Sequence, residues 1–264
     1  MLELKNIKKT FNKGSVNENN VLHGLKLRLN EGDFVTVIGG NGAGKSTLLN
    51  AVAGVWPIDE GSITIDGINV TGMPEHKRAP YIGRIFQDPI MGTASDMNIE
   101  ENLALAYRRG KRRSLCWGIS SAERELYHEE LKKLGLGMEE RMTDKVGQLS
   151  GGQRQALTLL MATLAKPKLL LLDEHTAALD PATAAKVLEL TDKIISEHKL
   201  TTLMITHNMT EAISHGNRLL MMSLGDIILD ISGEEKKQLK KADLIRKFTE
   251  ASAVQEETDV VLLS

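Results

Sequence analysis

A single cysteine, Cys116, among 264 residues excludes an internal disulfide and any zinc site built from several thiolates. So sparing a use of cysteine agrees with a reducing compartment. Long hydrophobic runs are also missing. Purely aliphatic stretches such as Leu169 to Leu172 fall far short of the ~18 residues that cross a bilayer, so the chain is not expected to span a membrane by itself. The opening MLELKNIKKT lacks the apolar segment of a secretory signal. Charge of one sign is not in excess, since 33 basic and 35 acidic residues leave a net charge of −2 with histidines neutral. No global basic field is available for nucleic acid or anionic lipid, and nucleic acid is not expected as a partner.

What is present is ordinary for a globular protein: 41% apolar and 26% charged residues, which excludes a disordered or collagen-like chain. A chain of this size can bury roughly three quarters of its unfolded surface. Leu25, Leu27 and Leu29 alternate with Lys26 and Arg28, and Ile63 and Ile65 alternate between Gly61 and Gly67, the period of half-buried strands. Phe34 to Ile38 is a short run, apolar but for Thr36, which suits a strand buried on both faces of a parallel sheet. The Asn-, Gly- and Ser-rich stretch from Asn12 to Asn20 predicts a loop.

Residues 90 to 165 read as mostly helical. Ser120 and Glu123 form a capping box and Gly135 a stop, with Ala122, Leu126, Leu131 and Leu134 at helical spacing between them. The basic cluster Arg108, Arg109, Lys111, Arg112 and Arg113 reads as a solvated helix end or loop, or as a contact for a partner or lipid headgroups. Leucines 169–172 and the run Leu203 to Ile205 flank a helix-like segment from Pro181 to Lys199, an alternation typical of parallel βα units. A last amphipathic helix is predicted over Glu234 to Phe248, with Leu239, Ala242, Ile245 and Phe248 on its apolar stripe.

The chemistry concentrates in short strings. Gly39, Gly40, Asn41, Gly42, Ala43, Gly44, Lys45, Ser46 and Thr47 match G-x-x-x-x-G-K-[ST] between an apolar strand and a helix-compatible stretch closed by Gly54. In such a turn the backbone N–H groups and the helix N-terminus face a phosphate chain; Lys45 reaches the β- and γ-phosphates and Ser46 ligates Mg²⁺. A second string ends a buried leucine run in Asp173 and Glu174. Ligands of open α/β sheets lie beyond the carboxyl ends of strands, so Asp173 is the candidate for holding Mg²⁺, through water, and Glu174 for polarising the attacking water. A third, Leu149-Ser150-Gly151-Gly152-Gln153, opens another helix. Because one phosphate loop is already present, it is read as contacting the γ-phosphate of a nucleotide held by a second copy.

These strings, in this order, resemble the ATP-binding-cassette (ABC) ATPases, whose signature is Leu-Ser-Gly-Gly-Gln. The resemblance covers residues 1 to about 230 and is greatest to the free-standing cassettes of bacterial importers. It implies an α/β fold: a P-loop NTPase core with an antiparallel β subdomain and an inserted α-helical subdomain, about residues 88–165, in one domain of residues 1–250 followed by a tail, 251–264. It further implies that Phe11 stacks on adenine, that Gln87 touches Mg²⁺ and the lytic water, that Asp180 crosses the interface between two copies, and that His207 hydrogen-bonds the γ-phosphate. ATP and Mg²⁺ are the implied cofactors. The implied partners are a second copy closing head-to-tail around two nucleotides, integral membrane permease subunits docking near Gln87, and a solute-binding protein. The implied location is the cytoplasmic face of the cell membrane. The string at residues 173–181 resembles a subgroup linked to amino-acid-type uptake. A soluble ABC ATPase, such as one of iron–sulfur cluster assembly, is the alternative. Two departures stand out: Ala177 where Ser is usual, and His175 where Pro or Ala is common.

Overall fold

The computed structural model describes residues 1–111 and 118–250; Cys116, Arg112, Arg113 and the tail from residue 251 lie outside them. The chain divides into two units. The first is Met1–Glu75 with Thr201–Ser264, and the second, His76–Leu200, is inserted between those halves in chain order.

In the first unit, β1 (Leu2–Phe11), β2 (Asn19–Leu29), β4 (Glu60–Ile65) and β5 (Ile68–Asn69) form an antiparallel sheet in the order β2-β1-β4-β5. Leu25, Leu27 and Leu29 face inward while Lys26 and Arg28 are exposed, as their alternation predicts. The predicted 12–20 loop is shorter than its composition suggests, because Asn19 and Asn20 pair with Phe11 and Thr10 as the start of β2. Between the two halves of that sheet in sequence come β3 (Phe34–Gly39) and α1 (Lys45–Ala53), which ends on Gly54 in the left-handed conformation.

β3 is buried from Phe34 to Ile38. It lies parallel to both β8 (Thr201–Ile205) and β9 (Arg218–Ser223), and β10 (Asp226–Ser232) adds antiparallel to β9. The strand that feeds the glycine-rich turn is thus held on both edges, which agrees with its mostly apolar sequence, and its one polar side chain, Thr36, is buried with its hydroxyl donating to the Ala212 carbonyl at 2.9 Å. The closing region departs from the predicted single helix. α8 (Gly233–Gln238) stops, residues 239–240 are non-helical, and a second helix covers 241–250. The break shifts the register, so Leu239 and Leu244 enter the core with Ile38, Leu219, Met221 and Ile231, while Ala242 and Ile245 are exposed.

In the second unit, which α2 (Glu75–Arg78) opens in chain order, β6 (Ile82–Ile85) runs parallel to β7 (Leu169–Asp173). Between them come α3 (Ile99–Tyr107), α4 (Ser121–Lys132) and α5 (Gly151–Thr163), and after β7 comes α6 (Pro181–His198). α7 (Met209–Ser214) belongs to the first unit. The Ser120–Glu123 capping box starts α4 as predicted, with both reciprocal bonds formed. The predicted stripe is only partly correct: Leu131 and Leu134 are buried, but Ala122 is exposed and Tyr127 supplies the other fully buried anchor, edge-on to Tyr107 at 6.1 Å between ring centroids.

As far as it is described, the basic cluster is partly anchored and partly solvated, with Lys111 exposed and Arg108 and Arg109 half-buried. Arg108 pairs with both Glu123 carboxylate oxygens at 2.9 and 3.0 Å. The Arg109 guanidinium donates to the Ala162 carbonyl at 3.0 Å, and Lys111 Nζ lies 3.3 Å from the centre of the Tyr107 ring.

Candidate active site

The glycine-rich turn leaves β3 at Gly39 and enters α1 at Lys45. Gly44, the residue before the helix, has φ 93°, a conformation that glycine adopts without the penalty of a Cβ. It also brings no capping side chain. By contrast, α3, α4, α5, α6 and α7 are each capped by a side chain: Asn98, Ser120, Ser150, Asp180 and Asn208. The start of α1 therefore keeps its donor end for an anion. Lys45, only 9% exposed, folds along the turn and its Nζ donates to the carbonyl oxygens of Gly39 at 2.9 Å and Gly40 at 3.0 Å. Ser46 is exposed in the first helical turn.

The turn is braced from afar. The Ala43 N–H donates to the Gly40 carbonyl at 3.3 Å, and the Ala43 carbonyl accepts the Gly225 N–H at 3.2 Å. Gly225 lies in the tight connection between β9 and β10, where an added Cβ would fall 2.1 Å from the Val21 carbonyl oxygen. Sequence analysis did not single out Gly225. A Leu-Gly pair between two strand-like runs signals a turn, but nothing local says which loop that turn supports.

His207 comes to the same edge of the first unit. Ile205 of β8 pairs with Val37 of β3, and the Thr206 N–H donates to the Val37 carbonyl at 3.1 Å. The Thr206 hydroxyl donates to Glu211 at 2.8 Å, and the Asn208 side chain accepts the Thr210 N–H at 2.9 Å to cap α7. His207 is exposed between these two anchored residues, just past a strand end adjacent to the one that launches the phosphate loop. Phe11 ends β1 and is half-buried, perpendicular to Trp56 with ring centroids 5.0 Å apart. Lys9 Nζ lies 5.1 Å from its centroid. Trp56, which sequence analysis passed over, is thus the aromatic neighbour of the candidate adenine platform.

The second unit assembles the remaining residues. Ile85 of β6 pairs with Leu172 of β7, so Gln87 and Glu174 each follow a paired residue by two positions and leave neighbouring strands at one edge. Gln87 is exposed, and Asp88 beside it caps the short 3-10 turn Pro89–Gly92. Asp173 lies 3.8 Å from the Arg84 guanidinium, and Arg84 lies over the Phe86 ring at 4.6 Å. Glu174 is a non-glycine residue with φ 45°, a conformation that marks local constraint.

At the start of α5, Ser150 accepts the Gln153 N–H at 3.3 Å and Gln153 accepts the Ser150 N–H at 3.2 Å. The signature turn is therefore satisfied by its own side chains. It lies on the segment around Asp180: a Cβ on Gly152 would come 2.3 Å from Thr183 Cγ2, and one on Gly151 would come 3.4 Å from Leu179. Asp180 caps α6 through the Thr183 N–H at 3.1 Å, and hydrogen bonds from Thr183 hold its carboxyl below the usual range.

Among the described residues, no three His, Cys, Asp or Glu side chains gather into a group able to hold a metal. Ser46 in the first unit and Asp173 in the second each offer an oxygen of the kind magnesium accepts, an ion that keeps several waters and takes its other ligands from substrate phosphates. No helix among the described residues is long and apolar enough to cross a membrane.

Residues 22–177 match the family described as "ABC transporter". The chain is similar to a tyrosine transport ATP-binding protein of Clostridioides difficile, with 44% identity over 248 residues, 94% of this chain and 98% of the relative. It is also similar to a methionine import ATP-binding protein of Bartonella henselae, with 35% identity over 86% of this chain but only 64% of that longer relative. Among solved structures, a dimeric post-hydrolysis ATP-binding cassette bound to ADP and Pi covers 88% of this chain at 30% identity, with a TM-score of 0.74.

Proposed function

The chain belongs to the ABC transporter family of ATPases, and from that premise we propose that it powers import of an amino-acid-type solute through separate permease subunits. The observation that carries this reading is the end-to-end likeness to the tyrosine transport ATP-binding protein, at 98% of that relative's length. The C. difficile and B. henselae relatives are both named for amino acids. In this reading two copies close head-to-tail on two nucleotides, and a solute-binding protein delivers the solute. The protein works at the cytoplasmic face of the membrane. The exposed Ile90 and Met91 that follow Gln87 offer a permease segment an apolar contact.

The chemistry is transfer of the γ-phosphoryl group to water, achieved by positioning and electrostatic stabilisation. Lys45 and the N–H groups of residues 39–47 hold the β- and γ-phosphates of ATP. Phe11 carries the adenine. Glu174 accepts the proton of the attacking water while the bond from Pγ to the β–γ bridging oxygen breaks, leaving ADP and phosphate. His207 and Gln87 orient the γ-phosphate and that water, and Ser150 to Gln153 of a second copy complete the site beside Asp180. Ser46, Asp173 and Gln87 would hold a magnesium ion, which would supply positive charge against the phosphates.

Two measurements test the reading. Glu174→Gln is expected to bind ATP, accumulate as a closed dimer on size-exclusion chromatography and hydrolyse at least about a hundredfold more slowly; turnover near wild type removes Glu174 as the base. Purification of the tagged chain from its native membranes in mild detergent is expected to bring down a multi-span permease in stoichiometric amount. Recovery with soluble partners alone overturns the transport assignment.

A further inference from the structure

His175 occupies a position that neither the phosphate chemistry nor the interface between copies requires. Its ring is 2% exposed, and Thr191, in the third turn of α6, is fully buried. His175 Nε2 lies 3.2 Å from Thr191 Oγ1, and that hydroxyl donates to the Val187 carbonyl at 2.8 Å. A hydroxyl has one proton, and here Val187 takes it. While that bond is made, the Thr191 oxygen has a lone pair left for the ring, and the tautomer with its hydrogen on Nε2 uses it. The result is a directed chain from imidazole to hydroxyl to helix carbonyl. A residue that merely fills space at this depth would be apolar, since a buried imidazole without a partner costs its desolvation.

The neighbours of His175 show what the chain holds. Glu174 has φ 45°, and its carbonyl accepts the Ala177 N–H at 3.0 Å to close a tight turn. Thr176 accepts from the Leu179 N–H at 3.1 Å, and Asp180 then caps α6 through Thr183. Residues 174–180 thus form a run of turns fastened to one helix at two points, His175 on Thr191 and Asp180 on Thr183. Eight residues of helix separate those points, about 12 Å at 1.5 Å per residue. A left-handed non-glycine residue persists only when its surroundings hold it there, and the residue next to Glu174 is the one locked to the helix.

We propose that His175 is a positioning residue. Through Thr191 it holds the Glu174 backbone in the orientation that aims the carboxylate at the attacking water. This rests on the reading of Glu174 as the base. The consequence is specific, because misplacing a catalytic group by about 1 Å can cost about a hundredfold in rate, whereas ATP is held mainly by residues 39–47.

The test compares His175→Leu, His175→Gln, Thr191→Val and the pair His175→Leu with Thr191→Val, beside Glu174→Gln, measuring ATPase rate per folded chain, KM for ATP and thermal stability. His175→Leu and Thr191→Val are each expected to lower kcat about tenfold with KM within about twofold, and the double variant to be no worse than either. His175→Gln, which keeps an amide donor at similar reach, is expected to restore most of the rate. Thr191→Val is nearly isosteric and keeps the test open if His175→Leu does not fold. A wild-type kcat in folded Thr191→Val, with Glu174→Gln inactive, overturns the positioning role alone. Retained turnover in Glu174→Gln overturns the underlying reading instead.

Discussion

The guanidinium of Arg84 on β6 lies 3.8 Å from the carboxylate of Asp173 at the end of β7, with both side chains largely shielded. The acid expected to serve magnesium therefore already has a cationic neighbour in its own unit. A fixed positive charge at that distance opposes the approach of a second cation. Arg84→Met is expected to lower the free Mg²⁺ needed for half-maximal ATPase activity by about two- to fivefold, the equivalent of a salt bridge worth about 0.5–1 kcal/mol. A magnesium titration at saturating ATP measures it, and an increased requirement would mean that Arg84 instead orients Asp173 for the metal.

The aromatic platform makes a separate prediction. Phe11 packs perpendicular to Trp56, and stacking of a base on an aromatic ring is worth about 1–3 kcal/mol. Phe11→Ala is expected to weaken ATP binding by about fivefold to a hundredfold, with Phe11→Trp close to wild type. Equilibrium binding to the Glu174→Gln background, where hydrolysis does not interfere, reads the change. Equal affinity in all three proteins would remove Phe11 from the adenine site.

Gly225 braces the phosphate loop through Ala43, at φ 84° and with the Val21 carbonyl oxygen 2.1 Å from where a Cβ would stand. Backbone strain and forced repacking each cost about 1–3 kcal/mol. Gly225→Ala is therefore expected to lose at least about 2 kcal/mol of unfolding free energy and to bind ATP more weakly, although it lies some 180 residues from the loop in sequence. Denaturant unfolding and nucleotide binding on the same preparation check both halves.

Acid should act on α4 through Glu123. Its carboxylate accepts the Ser120 N–H at 2.8 Å. That bond first, then the Arg108 side chain, holds its pKa below the ordinary range. A carboxyl with a depressed folded-state pKa adds stability that is complete above its unfolded value of about 4.3 and is lost as pH falls through the folded value. Glu123→Gln is expected to be less stable than wild type by about 1 kcal/mol at pH 7, with the gap narrowing below about pH 4. A gap that stays constant from pH 7 to pH 3 would contradict this assignment.

Tyr127 gives a prediction of the opposite sign. Its hydroxyl is buried without a hydrogen-bond partner among the described residues, and burial, the largest cause, raises its pKa to about 12. An unsatisfied buried hydroxyl carries its desolvation cost with no return. Tyr127→Phe keeps the ring that packs on Tyr107 and is expected to be neutral or up to about 1 kcal/mol more stable, as thermal or denaturant unfolding would show.

The sequence by itself determined those features whose physics closes within a few residues. The phosphate loop is legible at residues 39–47 because its spacing encodes a backbone path, the capping box at Ser120 and Glu123 because its two bonds span three residues. The buried strands Phe34–Gly39 and Leu169–Asp173 are legible because burial on both faces demands a run that is almost wholly apolar. Tertiary structure alone decided the rest. Tyr127 rather than Ala122 anchors α4, the break at residues 239–240 turns Leu244 rather than Ile245 into the core, and Arg108 and Arg109 find Glu123 and Ala162. His175 meets Thr191 sixteen residues away, and Gly225 meets the loop at Ala43. Such partners are selected by which surfaces pack together, and local backbone preference and periodicity carry no record of that choice.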